Sequence, residues 1–155
     1  MTQALLPQRL AQGFYWQDIT VGQRFITFRR TITETDLVNF ISVTGMLEAI
    51  FIDATFDAGA IKGRPVPAAL TYAIIEGFIL QSMIQGTGLA MLELKKDIKG
   101  PVMVGDTVGA SIEVTAIRPT SKSGRAVVTS VITVDNQRGE VVMVYEAKRL
   151  LAGKP

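Results

Sequence analysis

The chain has 155 residues, with 48% hydrophobic and 19% charged side chains, no cysteine, no histidine, and a formal net charge of +2 from 16 basic and 14 acidic residues. Those counts describe one globular domain large enough to bury a core, and they exclude disulfides, thiolate nucleophiles, Cys- or His-ligated metals and imidazole acid–base chemistry. So small a charge excess supplies no field to draw in nucleic acid, and any catalysis must run on carboxylates, hydroxyls, backbone amides, lysine or tyrosine.

Residues 1–13 read as an N-terminal extension without the basic flank and apolar run of a signal peptide, and a cytoplasmic location is the default that follows. A single domain is expected over 14–151, with a frayed tail at 152–155. Tyr15 and Trp16 read as packing residues, and the Val21-Gly22 turn leads into a strand, "RFITFRRTI", at 24–32. A helix follows from Thr33 to Gly45. Thr33 caps it with Asp36 three residues on, Leu37, Phe40, Ile41 and Thr44 recur at helical spacing, and Gly45 stops it.

Residues 46–66 are irregular, with a short helical turn expected around "DATFDAGA"; such stretches often carry function. Pro65 and Pro67 bracket the start of a long apolar helix that Gly86-Thr87-Gly88 ends. Its stretch Ala68–Ile84 is about as long as the shortest membrane spans, but Glu76 sits at its centre, where charge is costly in lipid. The segment therefore reads as a helix buried on several sides within the protein. The remainder reads as strands at 89–98, 107–120, 125–135 and 140–151, joined by turns at "KGPVMVGD", "SKSG" and "NQRG". Val108, Ala110, Ile112 and Val114 alternate with Gly109, Ser111, Glu113 and Thr115, as a half-buried antiparallel strand should. One antiparallel sheet wrapped around one long helix hides both apolar surfaces in two layers, which is an α+β hot-dog fold.

Four stretches in a fixed order carry a family resemblance: "DITVGQRF" with "RTITETDLVNFISVTG", then "TGMLEAIFIDATF", then "GRPVPAALT", and finally "SKSGRAVVTSVITVDNQRGEVVMVYE". They cover most of residues 14–150, and in them the chain resembles the MaoC-like dehydratases, the hot-dog family that includes the (R)-specific enoyl-CoA hydratases. Across the second stretch the family's hydratases read Gly-Asp-x-Asn-Pro-x-His-x-Asp. Here the window is Gly45-Met46-Leu47-Glu48-Ala49-Ile50-Phe51-Ile52-Asp53. The resemblance implies that Met46 stands at the catalytic Asp position and Phe51 at the catalytic His position, while Pro67-Ala68 replaces the family's His-Gly at the helix head.

Hydrating an enoyl thioester requires a base for the attacking water, an acid for the α-carbon, and donors for the oxygen that becomes enolate-like. Met46 and Phe51 transfer no protons, and losing such assistance costs about 10²–10⁴-fold per effective group. They either make a drier pocket suited to an acyl chain or simply fill the core. Ala68 keeps a backbone N–H in the first helical turn, where the positive end of the helix favours an oxyanion, and is the candidate oxyanion donor.

Glu76 lies eight residues after Ala68, within about 80° around the helix axis. By resemblance, hydratases place a small hydroxyl residue there, and some hot-dog thioesterases place their catalytic carboxylate at this spacing. It is a candidate base, or else the partner of an arginine or backbone group. Glu48 either enters the pocket or stays in a solvated loop, Asp53 suits a cap or structural hydrogen bond, and Asp57 is expected to be exposed. Arg64, Lys122 and Arg125 are candidates for the phosphates of a CoA-type ligand, or are solvated loop residues.

No metal site, and no cofactor beyond a CoA-type thioester as substrate or ligand, is implied. A homodimer or higher homo-oligomer is expected, because one sheet around an apolar helix leaves an edge and a helix face uncovered. A catalytic hot-dog partner chain is a further possibility, and neither nucleic acid nor membrane is expected. Three activities stay open: a hydratase relative with an altered site, a thioesterase using Glu76, and a non-catalytic acyl-CoA-binding or partner subunit.

Overall fold

The computed structural model describes residues 8–57, 59–122 and 124–155. The first seven residues of the expected N-terminal extension, and Ala58 and Ser123, lie outside the described chain.

A six-stranded antiparallel sheet curls around one helix, as the apolar patterning predicts. Its strands are β1 (Arg24–Ile26), β2 (Arg30–Thr31), β3 (Gly88–Ile98), β4 (Thr107–Pro119), β5 (Arg125–Asp135) and β6 (Val141–Ala152). They run in the order β1-β4-β5-β6-β3, with β2 also paired to β4. Val108, Ala110, Ile112 and Val114 of β4 are buried, as are Tyr145, Ala147 and Leu151 of β6. These inward side chains meet helix α3 (Ala68–Gln81), whose Leu70, Ile74, Ile75, Phe78 and Ile79 are buried in turn. Helix α1 (Glu34–Thr44) closes one flank through Leu37 and Ile41. Its start is the expected capping box: Thr33 Oγ1 accepts from the Asp36 amide at 3.2 Å and Asp36 Oδ2 accepts from the Thr33 amide at 2.8 Å. Gly45 stops it at φ 72°, a left-handed conformation suited to glycine.

Four local expectations need correction. The strand over 24–32 is two strands, because the Thr27 side-chain oxygen takes the Ala110 amide at 2.9 Å in place of a ladder carbonyl. The short helix is α2 (Ala49–Ile52) rather than a turn over 53–60. Asp53 Oδ1 accepts from the Thr55 amide and hydroxyl, which bends the chain instead of coiling it. Helix α3 ends at Gln81, before Gly86, where Ser82 leaves helical geometry and Ile84 N–H reaches back to Ile79 O at 3.1 Å. The tail is tied down rather than frayed: the Lys154 amide donates to Gln17 Oε1 at 3.1 Å and its ammonium pairs with Asp18.

Two features position the head of α3. Val66 N–H donates to Val102 O and Val104 N–H to Arg64 O, both at 2.9 Å, which fastens the approach to the helix onto the β3–β4 connection. At the other end Gly13 N–H donates to Gln85 O at 2.8 Å, and a Cβ on Gly13 would lie 2.4 Å from the Gln85 nitrogen, so a larger residue would break this contact. One side of the molecule remains apolar and open. β3 is the sheet edge, and its Leu89, Met91 and Leu92 are 40–53% exposed beside the exposed Leu80 of α3. Among the described residues no helix is long and apolar enough to cross a membrane.

Candidate functional site

A cavity of about 400 Å³ opens at the head of α3. Phe51 of α2 forms one wall, Pro67 with Ala68 and Thr71 of α3 another, and Val142 and Met143 of β6 close it. Among the described residues that line it, Lys99 is the one ionisable side chain; it is exposed and its ammonium pairs with Asp97. The helix begins at Ala68 after a buried proline that offers no side-chain cap. The first amides of a helix have no internal acceptor, and among the described residues none is supplied to Ala68 N–H. Ala68 is exposed and lines this cavity, and its amide has the helix's positive end behind it.

The structure brings Phe51 and Ala68 into this one cavity and leaves the other candidates outside it. Met46, 40% exposed, follows the left-handed turn at Gly45 and does not line it. Glu48 is exposed and caps α2, its Oε1 accepting from the Ala49 amide at 3.1 Å. Asp53 is held by Thr55, whose hydroxyl and amide keep its carboxyl below the ordinary value. Asp57 is exposed, and its Oδ1 accepts from Gly59 N–H at 2.8 Å. Arg64 is engaged with Glu34, its Nε reaching both carboxylate oxygens at 2.8 and 2.9 Å; that contact lowers the Glu34 pKa and raises that of Arg64. Lys122 and Arg125 sit at the far end of the sheet, where Arg125 pairs with Ala152, whereas the cavity lies near the Ile98–Met143 pair. Nine residues of β5 separate those ends, about 30 Å by strand rise.

Glu76 belongs to a second hollow, a groove of about 520 Å³ shared with Tyr72, Leu80, Met91 and Arg149. Its Oε1 accepts from the Tyr145 hydroxyl at 2.7 Å and pairs with the Arg149 guanidinium. All three side chains are buried. Tyr72 packs edge-on against Tyr145 with ring centroids 5.3 Å apart, and Lys96 Nζ lies 4.1 Å over the Tyr72 ring. Burial first, then the charge of Glu76, pushes both phenols above the usual tyrosine range, Tyr145 furthest. They stay protonated, and Tyr145 remains a donor to Glu76.

Sequence reasoning missed Thr71, Lys99, Tyr145 and Arg149. The signal for Arg149 was available: it falls in phase with the inward-facing Tyr145, Ala147 and Leu151 of β6. A charge on a buried face needs a partner, and Glu76 was the other charge without one.

Residues 19–145 match the family model described as "FAS1-like, dehydratase domain region". The chain belongs to that family, the MaoC-like hot-dog dehydratases. Over 131 residues it is 26% identical to an (R)-specific enoyl-CoA hydratase from Aeromonas caviae, a match spanning 84% of this chain and 94% of that protein. It is similar to the solved structure of a monoamine oxidase regulatory protein from Archaeoglobus fulgidus at 29% identity and TM-score 0.81, covering 93% of this chain and 97% of that one. A MaoC-like dehydratase from Rhodospirillum rubrum shares the fold at 24% identity and TM-score 0.82, with 92% and 99% covered. This MaoC-like chain presents, at the head of α3, a cavity lined by Ala68 and Thr71 with no carboxylate or phenol among its described lining residues.

Proposed function

We propose that the chain holds an acyl or enoyl thioester in the cavity at the head of α3 and does not hydrate it by the Asp/His route. The observation that carries this reading is the lining itself: Phe51 fills the wall where the family resemblance implies a histidine, and Lys99 alone among the described lining residues can ionise. A volume of about 400 Å³ falls within the roughly 300–1,000 Å³ of small-molecule pockets. An apolar wall suits an acyl chain, and the unpartnered Ala68 amide suits its carbonyl oxygen.

The thioesterase reading has less support. Glu76 lines a separate groove, and its Oε1 is committed to Arg149 and Tyr145 within the fold. The exposed edge of β3, with Leu89 and Met91 beside Leu80, supports association of two copies of the chain.

Incubating the pure protein with crotonyl-CoA and butyryl-CoA tests the proposal. Calorimetric binding is expected without loss of the conjugated absorbance and without thiol release. Hydration of crotonyl-CoA at ordinary enzymatic rates overturns it. Thiol release that vanishes in Glu76→Gln, in a variant that melts like the parent, establishes the thioesterase instead.

A further inference from the structure

Thr71 is 1% exposed, and its hydroxyl has no hydrogen-bond partner among the described residues. A threonine within a helix commonly turns its hydroxyl back onto the carbonyl four residues earlier. Here that carbonyl belongs to Pro67, and it accepts the backbone amides of Leu70 at 2.9 Å and Thr71 at 3.4 Å, but not the hydroxyl. A buried hydroxyl without a partner is unfavourable, and each instance calls for a physical explanation.

Its place in the fold supplies one. Thr71 lines the same cavity as Ala68 and follows it by three residues, so the two share a face of α3 about one turn apart. Ala68 and Thr71, whose hydroxyl oxygen is closed off from solvent, thus line the same side of a chamber walled by Phe51, Val66 and Met143 and apolar among its described lining residues apart from Lys99. A ligand that satisfies both brings an oxygen acceptor into apolar surroundings, with a hydrocarbon chain to fill the rest.

We propose that Thr71 is a binding residue of this cavity, its hydroxyl donating beside the Ala68 amide to the carbonyl oxygen of a bound acyl thioester. The inference rests on the thioester reading above and sharpens it. It makes the site selective for thioesters over thioethers of the same chain length, since only the former carry the acceptor. No covalent bond forms or breaks.

The probes are butyryl-CoA and S-butyl-CoA, the thioether in which a methylene replaces the carbonyl, titrated calorimetrically into the full chain. The parent is expected to bind butyryl-CoA about 10–100-fold more tightly, the contribution of two neutral hydrogen bonds. Thr71→Val keeps the shape and branching and removes the hydroxyl; it should melt no lower than the parent and lower the preference about 3–10-fold, leaving the share of the Ala68 amide. Thr71→Ser, which restores a hydroxyl, should restore the preference. If Thr71→Val keeps the parent's preference, or the parent shows none while binding both probes, the Thr71 assignment fails and the acyl-CoA reading stands. If neither probe binds, both readings fall together.

Discussion

The two hollows along α3 treat their polar groups in opposite ways. At the helix head Ala68 and Thr71 line the cavity, and neither the Ala68 amide nor the Thr71 hydroxyl has a partner among the described residues. In the groove further along, the buried carboxylate of Glu76 is matched to Arg149 and Tyr145 within the same chain. A buried charge is tolerable only when paired, so a paired one reports on folding. An unpaired neutral donor in a cavity reports on what the cavity receives. The contrast shows why a carboxylate in an apolar helix is poor evidence for catalysis until its partner is known.

The largest effect expected is a gain of function at the helix head. Restoring a histidine to the cavity wall in Phe51→His should raise hydration of crotonyl-CoA by about 10²-fold over the parent, followed as loss of the conjugated absorbance. An unchanged rate would separate this cavity from the family's chemistry.

Next comes the groove. Glu76→Leu leaves Arg149 buried without its partner and should cost about 3–5 kcal/mol in urea unfolding, while Glu76→Leu/Arg149→Met should recover most of that loss. If Glu76→Leu unfolds like the parent, the pair is not structural and the comparison breaks.

The smallest effect concerns Glu93, half-buried on the edge strand β3. Its bond to Lys148, helped by Lys95, lowers its pKa from 4.5 to about 2. A depressed carboxylate contributes stability that is present above pH 4.5 and is lost as pH falls through about 2. Acid denaturation should therefore be steeper between those limits for the parent than for Glu93→Gln, and the two should converge below them. Parallel curves would show the pair to be thermodynamically silent, as many exposed ion pairs are.

Much of the fold was legible because its signals are local or periodic. The Thr33–Asp36 box, the stop at Gly45, the proline at the head of α3 and the alternation along β4 can each be read within a dozen residues. The elements misread are those decided by one side chain's choice of partner: Thr27 interrupting the first strand, Asp53 bending the chain after α2. The site was legible in part. Phe51 and Ala68 were placed together by family resemblance, but the wall opposite them comes from Val142 and Met143, remote in sequence. The partners of Glu76 lie 69 and 73 residues away, beyond any local pattern. Thr71 stood in a quoted stretch, yet an unpartnered hydroxyl shows only once the carbonyl of Pro67 is seen to be taken by amides.

The most direct test is a crystal structure of the chain with butyryl-CoA bound. The acyl group is predicted against Phe51 and Met143, with its carbonyl oxygen within hydrogen-bond distance of the Ala68 amide. An acyl group lodged beside Glu76 and Arg149, with the chamber at the helix head left unfilled, would contradict the account.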